Sequence, residues 1–409
     1  MKFNKFILII PALVLILALI VGSSLLWRLF VAAALILAAS YLWALISGRG
    51  VRISVDKPPS HFQLGERYAR EIMVENTSMF PRLFIKVGEF TDIPGYQNER
   101  FLNLKSRETR SWSTTLTCTH RGEFTMGMVT ITSGDPFGFF TEKRTFGEPI
   151  RIIIYPRIVD LPLFKSVSLN EFGFISGFQS INQISPNASS VREYASGDSL
   201  QHIHWRSTAH TGKLMVKMFD ADHSYSSSKT FWVVMDMAKN VQAGQGEDST
   251  EEYSVTIAAS VIRHYLESGM KVGMISNGGM LSMFSPSRGE QNMWAMMESL
   301  ATIKATGQMP VGQLLLNYAA DFKDDPVIVI IATSTSRQLM ESVSKLKSQV
   351  EAVVVVLLDA ATFGDTHTPL NTAHNLSFMG AQVYNVRKGD EVAKALDSRS
   401  TVWQTNYQD

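Results

Sequence analysis

The densest gathering of side chains able to do chemistry lies between positions 192 and 217. Arg192, Glu193, Tyr194, Gly197 and Asp198 are followed by His202, His204, Trp205, Arg206, His210, Lys213 and Lys217. Three chemistries fit such a set. The imidazoles, with Glu193 and Asp198, are donors of the kind found in histidine–carboxylate metal sites, and His202 and His204 share a face if the segment is a strand. Arg192, Arg206, Lys213 and Lys217 are equally suited to a phosphate or protein partner. The third reading is structural. Arg192, Glu193, Asp198 and Arg206 form a buried ion-pair network, anchored by Trp205, that clasps a long connection onto the domain that follows. On that reading, removing the Asp198 charge or trimming Trp205 costs about 3–5 kcal/mol.

Other candidates are sparser. Asp236 and Asp359 each end an apolar run, the position where parallel sheets hold ligands, and Asp236 is expected to be exposed there. There is no Gly-x-Ser-x-Gly elbow, no phosphate-binding Gly-x-x-x-x-Gly-Lys loop and no His-Glu-x-x-His pair. Asn277-Gly278-Gly279 reads as a plain turn, and Phe137-Gly138-Phe139-Phe140 as a tight turn with core aromatics. A single cysteine, Cys118, excludes an internal disulfide and a Cys-x-x-Cys metal site. Lys+Arg 38 against Asp+Glu 37 leaves no general footprint for nucleic acid. A non-catalytic protein without a cofactor is the expectation.

The elements that must position these residues follow from patterning. A chain of 409 residues is long enough for two or three domains. Residues 1–50 read as two transmembrane helices, Phe6–Val21 and Leu25–Ile46, broken at Gly22-Ser23-Ser24, because 41 nearly unbroken apolar positions exceed the ~20 that one span needs. Lys2, Lys5, Arg49 and Arg52 outside the pair, against Arg28 near the turn, favour both ends, and hence the soluble domains, in the cytoplasm. Residues 51–162 alternate with period two: Val51, Ile53 and Val55; Ile72 and Val74; Leu83, Ile85 and Val87; Trp112, Leu116 and Cys118. They are read as an antiparallel β-sandwich-like domain. Residues 163–228 form a poorly periodic linker. Residues 229–409 alternate strands (231–235, 272–275, 327–332, 352–358, 380–386) with helices, an α/β domain with a mainly parallel sheet. Ser249-Thr250-Glu251-Glu252 caps its first helix.

Three ordered motifs carry a resemblance. Thr119-His120-Arg121-Gly122-Glu123-Phe124 leads to Gly127 and Ser133-Gly134-Asp135-Pro136-Phe137-Gly138-Phe139-Phe140; Ile154-Tyr155-Pro156-Arg157 follows; then Arg192-Glu193-Tyr194-Ala195-Ser196-Gly197-Asp198 runs through Ile203-His204-Trp205-Arg206-Ser207-Thr208-Ala209 to Gly212-Lys213. After an apolar hairpin, this resembles the bacterial and archaeal domain-of-unknown-function-fifty-eight family. The resemblance covers about residues 1–219. It implies a von Willebrand factor A-like, Rossmann-type α/β domain and a MoxR-type AAA+ ATPase as protein partner. Gln201 departs from the arginine usual there. The family does not require the histidines, which weakens the metal reading of the third motif. Von Willebrand A domains build a metal site from Asp-x-Ser-x-Ser, and here Asp236-Met237-Ala238-Lys239-Asn240 stands in its place. Asp236 and Asn240 are the candidate ligands of a degenerate site, with Mg²⁺ the ion; Ala238 offers no donor and Lys239 adds positive charge. The expected function is a membrane-anchored, non-catalytic scaffold or adaptor in protein maturation or envelope assembly. A metal-dependent envelope hydrolase and an extracytoplasmic adhesion-type module are the alternatives.

Overall fold

A computed structural model describes residues 2–3, 9–47, 50–162, 164, 190–193, 204–218, 229–366 and 368–397, with backbone alone at 2–3, 46–47, 190–193, 205–206 and 217–218. The chain falls into two compact units, Met1–Tyr155 and Pro156–Asp409.

The first unit begins with strand β1 (Lys2–Phe3), then helices α1 (Ile9–Val21) and α2 (Ser24–Ser47). The break falls at the expected place, because Gly22 takes the left-handed backbone (φ 66°) that closes α1. Among the described residues only α2 is long and apolar enough to cross a membrane, over Ser24–Leu45; those of α1 number 13. Ten strands follow: β2 (Val51–Val55), β3 (His61–Gln63), β4 (Arg67–Asn76), β5 (Arg82–Phe90), β6 (Glu99–Leu104), β7 (Thr109–Thr117), β8 (Gly122–Met126), β9 (Met128–Gly134), β10 (Phe140–Phe146) and β11 (Ile150–Tyr155). They form sheets ordered β1-β10-β9-β5-β6, β2-β4-β7 and β3-β11-β8. Inward residues of β2, β4 and β7 (Val51, Ile72, Val74, Trp112) meet those of β5, β6 and β9 (Ile85, Val87, Leu104, Val129, Ile131). Burying these alternating faces between two sheets is what fixes the register. A second core joins Phe62, Leu116, Cys118, Met126, Ile152 and Ile154. The pairing departs from purely antiparallel at β3 and β11, which run parallel. Leu83 also leaves the expected face, because the β5–β6 register shifts between Arg82 and Ile85.

In the second unit, β12 (Ser190–Glu193) pairs antiparallel with β13 (Met215–Met218), and α3 (Trp205–Thr211) lies between them in sequence. A six-stranded sheet follows, built from β14 (Thr230–Met235), β15 (Lys271–Asn277), β16 (Leu281–Ser287), β17 (Val327–Ala332), β18 (Ala352–Leu358) and β19 (Gln382–Val386). Its order is β16-β15-β14-β17-β18-β19, parallel except for β16. Numbered within the sheet this is 3-2-1-4-5-6, the doubly wound order, with its switch point beside β14. The central strands are apolar on both faces, so both need cover. On one face α6 (Val311–Asn317), α7 (Arg337–Leu346) and α8 (Leu370–Phe378) supply Leu314, Leu339, Val343 and Leu376 to the core. On the other, α4 (Thr250–Glu267) stacks Tyr265 on Phe231 with centroids 3.8 Å apart. Ser249 caps α4, its hydroxyl accepting from the Glu252 amide. The remaining helices are α5 (Glu290–Thr302) and α9 (Val392–Ala395).

Candidate functional site

The carboxyl ends of β14, β17 and β18 gather the buried acids and hydroxyls of the α/β sheet. Asp236, next after β14, continues the ladder by donating its amide to the Ile331 carbonyl at 2.8 Å. The side chain is only 1% exposed, so the expectation of an exposed strand end is corrected: the sheet packs around this residue instead of stopping short of it. Its Oδ1 accepts from the Ala238 amide at 3.3 Å, and its Oδ2 has no hydrogen bond among the described residues. Burial pushes the carboxyl up to about 6, against the pull of the Ala238, Ser334 and Val311 amides toward the charged form. Asp359, after β18, is similarly buried. Its Oδ1 has no partner among the described residues, and Oδ2 lies 3.9 Å from Arg387 Nε. The hydroxyls of Ser276 and Thr333, at the ends of β15 and β17, are buried and unpaired in the same sense.

The loop after Asp236 is tied shut. Ala238 bridges to Gly307, the Lys239 amide donates to the Gly307 carbonyl at 2.8 Å, and the Gly307 amide donates to the Met237 carbonyl at 3.0 Å. Only glycine allows this approach, because a Cβ at 307 would lie 2.0 Å from the Asn277 carbonyl oxygen. Gln242 Nε2 donates to the Asp236 carbonyl at 2.7 Å, and the Thr250 hydroxyl at the start of α4 donates to Gln242 Oε1 at 2.6 Å. The donor set does not fit a hard divalent ion, which takes six or more oxygens. Asp236 is buried, Asn240 and Lys239 lie exposed, and Ala238 has no oxygen to offer from its side chain. Among the described residues no group of three or more His, Cys, Asp or Glu is placed to hold a metal. The turn Asn277-Gly278-Gly279 connects β15 to its antiparallel neighbour β16, as a plain turn should.

The third motif divides differently from its sequence reading. Its two ends meet as a ribbon, Arg192 opposite Val216 and Glu193 opposite Met215. Among the described residues between them lies a helix, and His204 stands at its start, not within a strand. His204 caps that helix: its Nδ1 accepts from the Ser207 amide at 3.1 Å, and its own amide donates to the Met215 carbonyl at 2.8 Å. Gly212 closes the helix in the left-handed conformation (φ 70°), and Lys213 follows, exposed. His210 is exposed on the helix. Tyr194, Gly197, Asp198 and His202 lie outside the described residues, as do the side chains of Arg192, Glu193, Trp205 and Arg206.

A buried ion-pair network of the kind expected in that motif occurs in the first unit. Arg70 on β4 pairs with Glu89 on β5, their side chains 1% and 0% exposed. Arg70 Nη2 donates to the Asp56 carbonyl at 2.9 Å, and the Tyr96 hydroxyl donates to Glu89 Oε2 at 2.9 Å. Asn98 links this group to the Trp112 indole, whose Nε1 donates to Asn98 Oδ1 at 3.4 Å. Burial, with Glu89 alongside, pushes the Tyr96 phenol up to about 12. The sequence does carry a signal for it, since Arg70 is in phase with the inward residues Ile72 and Val74, and Glu89 with Ile85 and Val87.

Residues 190–372 match the profile of the family described as protein of unknown function DUF58. Over 313 residues, 75% of this chain and 75% of the relative, the chain is 24% identical to the uncharacterized protein YeaD of Bacillus subtilis strain 168. Three solved structures resemble about a quarter of the chain each. The C-terminal domain of Wzt is 9% identical over 27% of this chain and 75% of that one, with a TM-score of 0.21. The CARDB domain of a Pyrococcus furiosus protein is 14% identical over 26% and 94%, with a TM-score of 0.19. A beta-glucosidase from Listeria innocua, solved with gluconolactone, is 13% identical over 25% of this chain and 16% of that one, with a TM-score of 0.18; the chain thus spans less than a fifth of it.

Proposed function

We propose, from its match to DUF58 over residues 190–372, that this chain is a membrane-anchored, non-catalytic scaffold whose α/β domain presents the carboxyl-end face of its sheet to a protein partner. The observation that carries this reading is the closed strand-end site. Asp236 is buried at the root of a loop pinned by Gly307, and Asp359 is buried at the end of the neighbouring strand, while the same end of the sheet exposes Lys239, Asn240 and Met280. A large exposed apolar side chain ringed by polar groups suits protein docking. The 3-2-1-4-5-6 order supports a von Willebrand A-like α/β domain, and the partner proposed, from the family resemblance, is a MoxR-type AAA+ ATPase.

The anchor is a helical hairpin with both ends in the cytoplasm. α2 is long enough to span a hydrocarbon core of about 30 Å. Support for a hairpin comes from β1: Lys2 and Phe3 pair with Thr141 and Phe140, so the start of the apolar segment returns to the domain that follows α2. A single crossing would separate those two ends. The test is affinity capture of the full-length protein from native membranes, with and without ATP. An enriched AAA+ ATPase is expected, and its absence under both conditions refutes the partner assignment.

A further inference from the structure

Four large exposed apolar side chains of the β-domain, Met79, Phe80, Phe84 and Phe137, lie at one end of it. Met79 and Phe80 occupy the loop between β4 and β5, 74% and 65% exposed. That loop is fixed to the point where the chain leaves α2, the Thr77 amide donating to the Gly50 carbonyl at 2.8 Å. Phe137 (61% exposed) sits in the β9–β10 turn, stacked on Phe139 with centroids 5.4 Å apart. The turn is built rigidly: Asp135 Oδ1 accepts from the Phe140 amide at 2.6 Å, Oδ2 accepts from the Phe137 amide at 3.0 Å, and Gly138 takes φ 72°. The same turn lies against α2, where the Tyr41 and Phe140 rings are 5.5 Å apart. Phe84, at the start of β5, holds φ 56°, a conformation costly for a bulky residue, with its amide held by Asn103 Oδ1 at 2.8 Å.

Tyr41 lies one to two helical turns before the end of α2, so the β9–β10 turn stands at the depth where the apolar helix leaves the bilayer. Aromatic side chains are favoured at that depth, where ring and headgroup meet. The expectation that Phe137 belongs to a core is therefore corrected, since its ring is mostly exposed. We infer that Met79, Phe80, Phe84 and Phe137 form a rim that dips into the lipid interface and holds the β-domain against the membrane. This rests on the reading that α2 spans the bilayer. Lys105 and Arg107, exposed in the loop beside Ser78, place cations where lipid phosphates would lie.

The test uses the full chain in vesicles of phosphatidylcholine and phosphatidylglycerol. Cys118 is fully buried, so single cysteines introduced elsewhere accept a nitroxide selectively. Labels go on Met79→Cys and Phe137→Cys, on Leu35→Cys in the middle of α2, and on Phe90→Cys. Phe90 is also exposed but lies at the opposite end of β5, six residues or about 20 Å from Phe84. Relaxation by oxygen relative to a water-soluble nickel chelate reads depth. Positions 79 and 137 are expected to show a ratio several-fold above position 90 and below position 35. Ratios at 79 and 137 equal to that at 90, with 35 in lipid, overturn the rim while leaving the anchor intact. An aqueous ratio at 35 overturns both.

Discussion

Two buried acids, one in each unit, are treated in opposite ways. Glu89 in the β-domain is paired with Arg70 and hydrogen-bonded by Tyr96, so its burial is compensated. Asp236 in the α/β sheet is equally buried, yet among the described residues it has no opposite charge beside it and only backbone amides, those of Ala238, Ser334 and Val311, to answer its own. A compensated charge fixes the packing of two sheets. An uncompensated one costs stability, and such groups collect where a sheet meets its ligands and partners. The difference separates a region built to hold its shape from one whose polar groups are left to be answered by something else.

The largest expected effect breaks the compensated side. Arg70→Met leaves Glu89 buried and unpaired, and melting of the full chain in detergent should show a loss of about 3–5 kcal/mol. Adding Glu89→Leu should recover most of it, because the penalty comes from the stranded charge. A single variant that melts like the parent would mean the pair is solvated.

The uncompensated side should respond in the other direction. With its folded-state value raised from 3.8 to about 6, Asp236 binds its proton more tightly in the folded state than in the unfolded state. The contribution of Asp236 to stability is therefore fully present below about pH 4 and is lost as pH rises through 4 to 6, by about 2–3 kcal/mol. Asp236→Asn should remove that component of the pH dependence and raise stability at pH 7. Unfolding curves at pH 4, 5, 6 and 7 for both proteins decide it; identical pH profiles would show that the carboxylate is paired after all.

A smaller effect sharpens the account of the third motif. His204→Ala removes the cap of α3 and should cost about 1 kcal/mol, whereas His204→Asn should cost less, since asparagine also caps. A metal ligand would behave otherwise: both substitutions would lower stability alike, and only when metal is supplied.

Much of the fold was legible in local patterning. Five parallel strands and the cap at Ser249 follow from apolar runs and turn chemistry, and β17 and β18 keep the bounds read from sequence. What escaped is non-local. β16 carries Pro286 and a half-polar pattern, which an antiparallel edge strand tolerates and a central one would not. α8 has a weak apolar stripe, Ala373 and Leu376, and is held by packing more than by propensity. Within the site, the position of Asp236 at a strand end was readable, but its burial was not, because that depends on Gly307, 71 residues further along. Arg70 was in phase with the core all along, and only a partner 19 residues away makes an inward arginine tolerable.

The central claim, that the carboxyl-end face of the α/β sheet docks a partner, has a direct test in two equally exposed apolar residues. Met280 is 84% exposed at the carboxyl end of β15, and Phe378 is 85% exposed at the C-terminus of α8, on the amino-end side of β19. Full-length Met280→Asp and Phe378→Asp, captured from native membranes beside the parent protein, should differ. The account predicts that the AAA+ ATPase recovered with the parent is retained by Phe378→Asp and lost from Met280→Asp, with both variants melting like the parent. Retention by Met280→Asp together with loss from Phe378→Asp would contradict it.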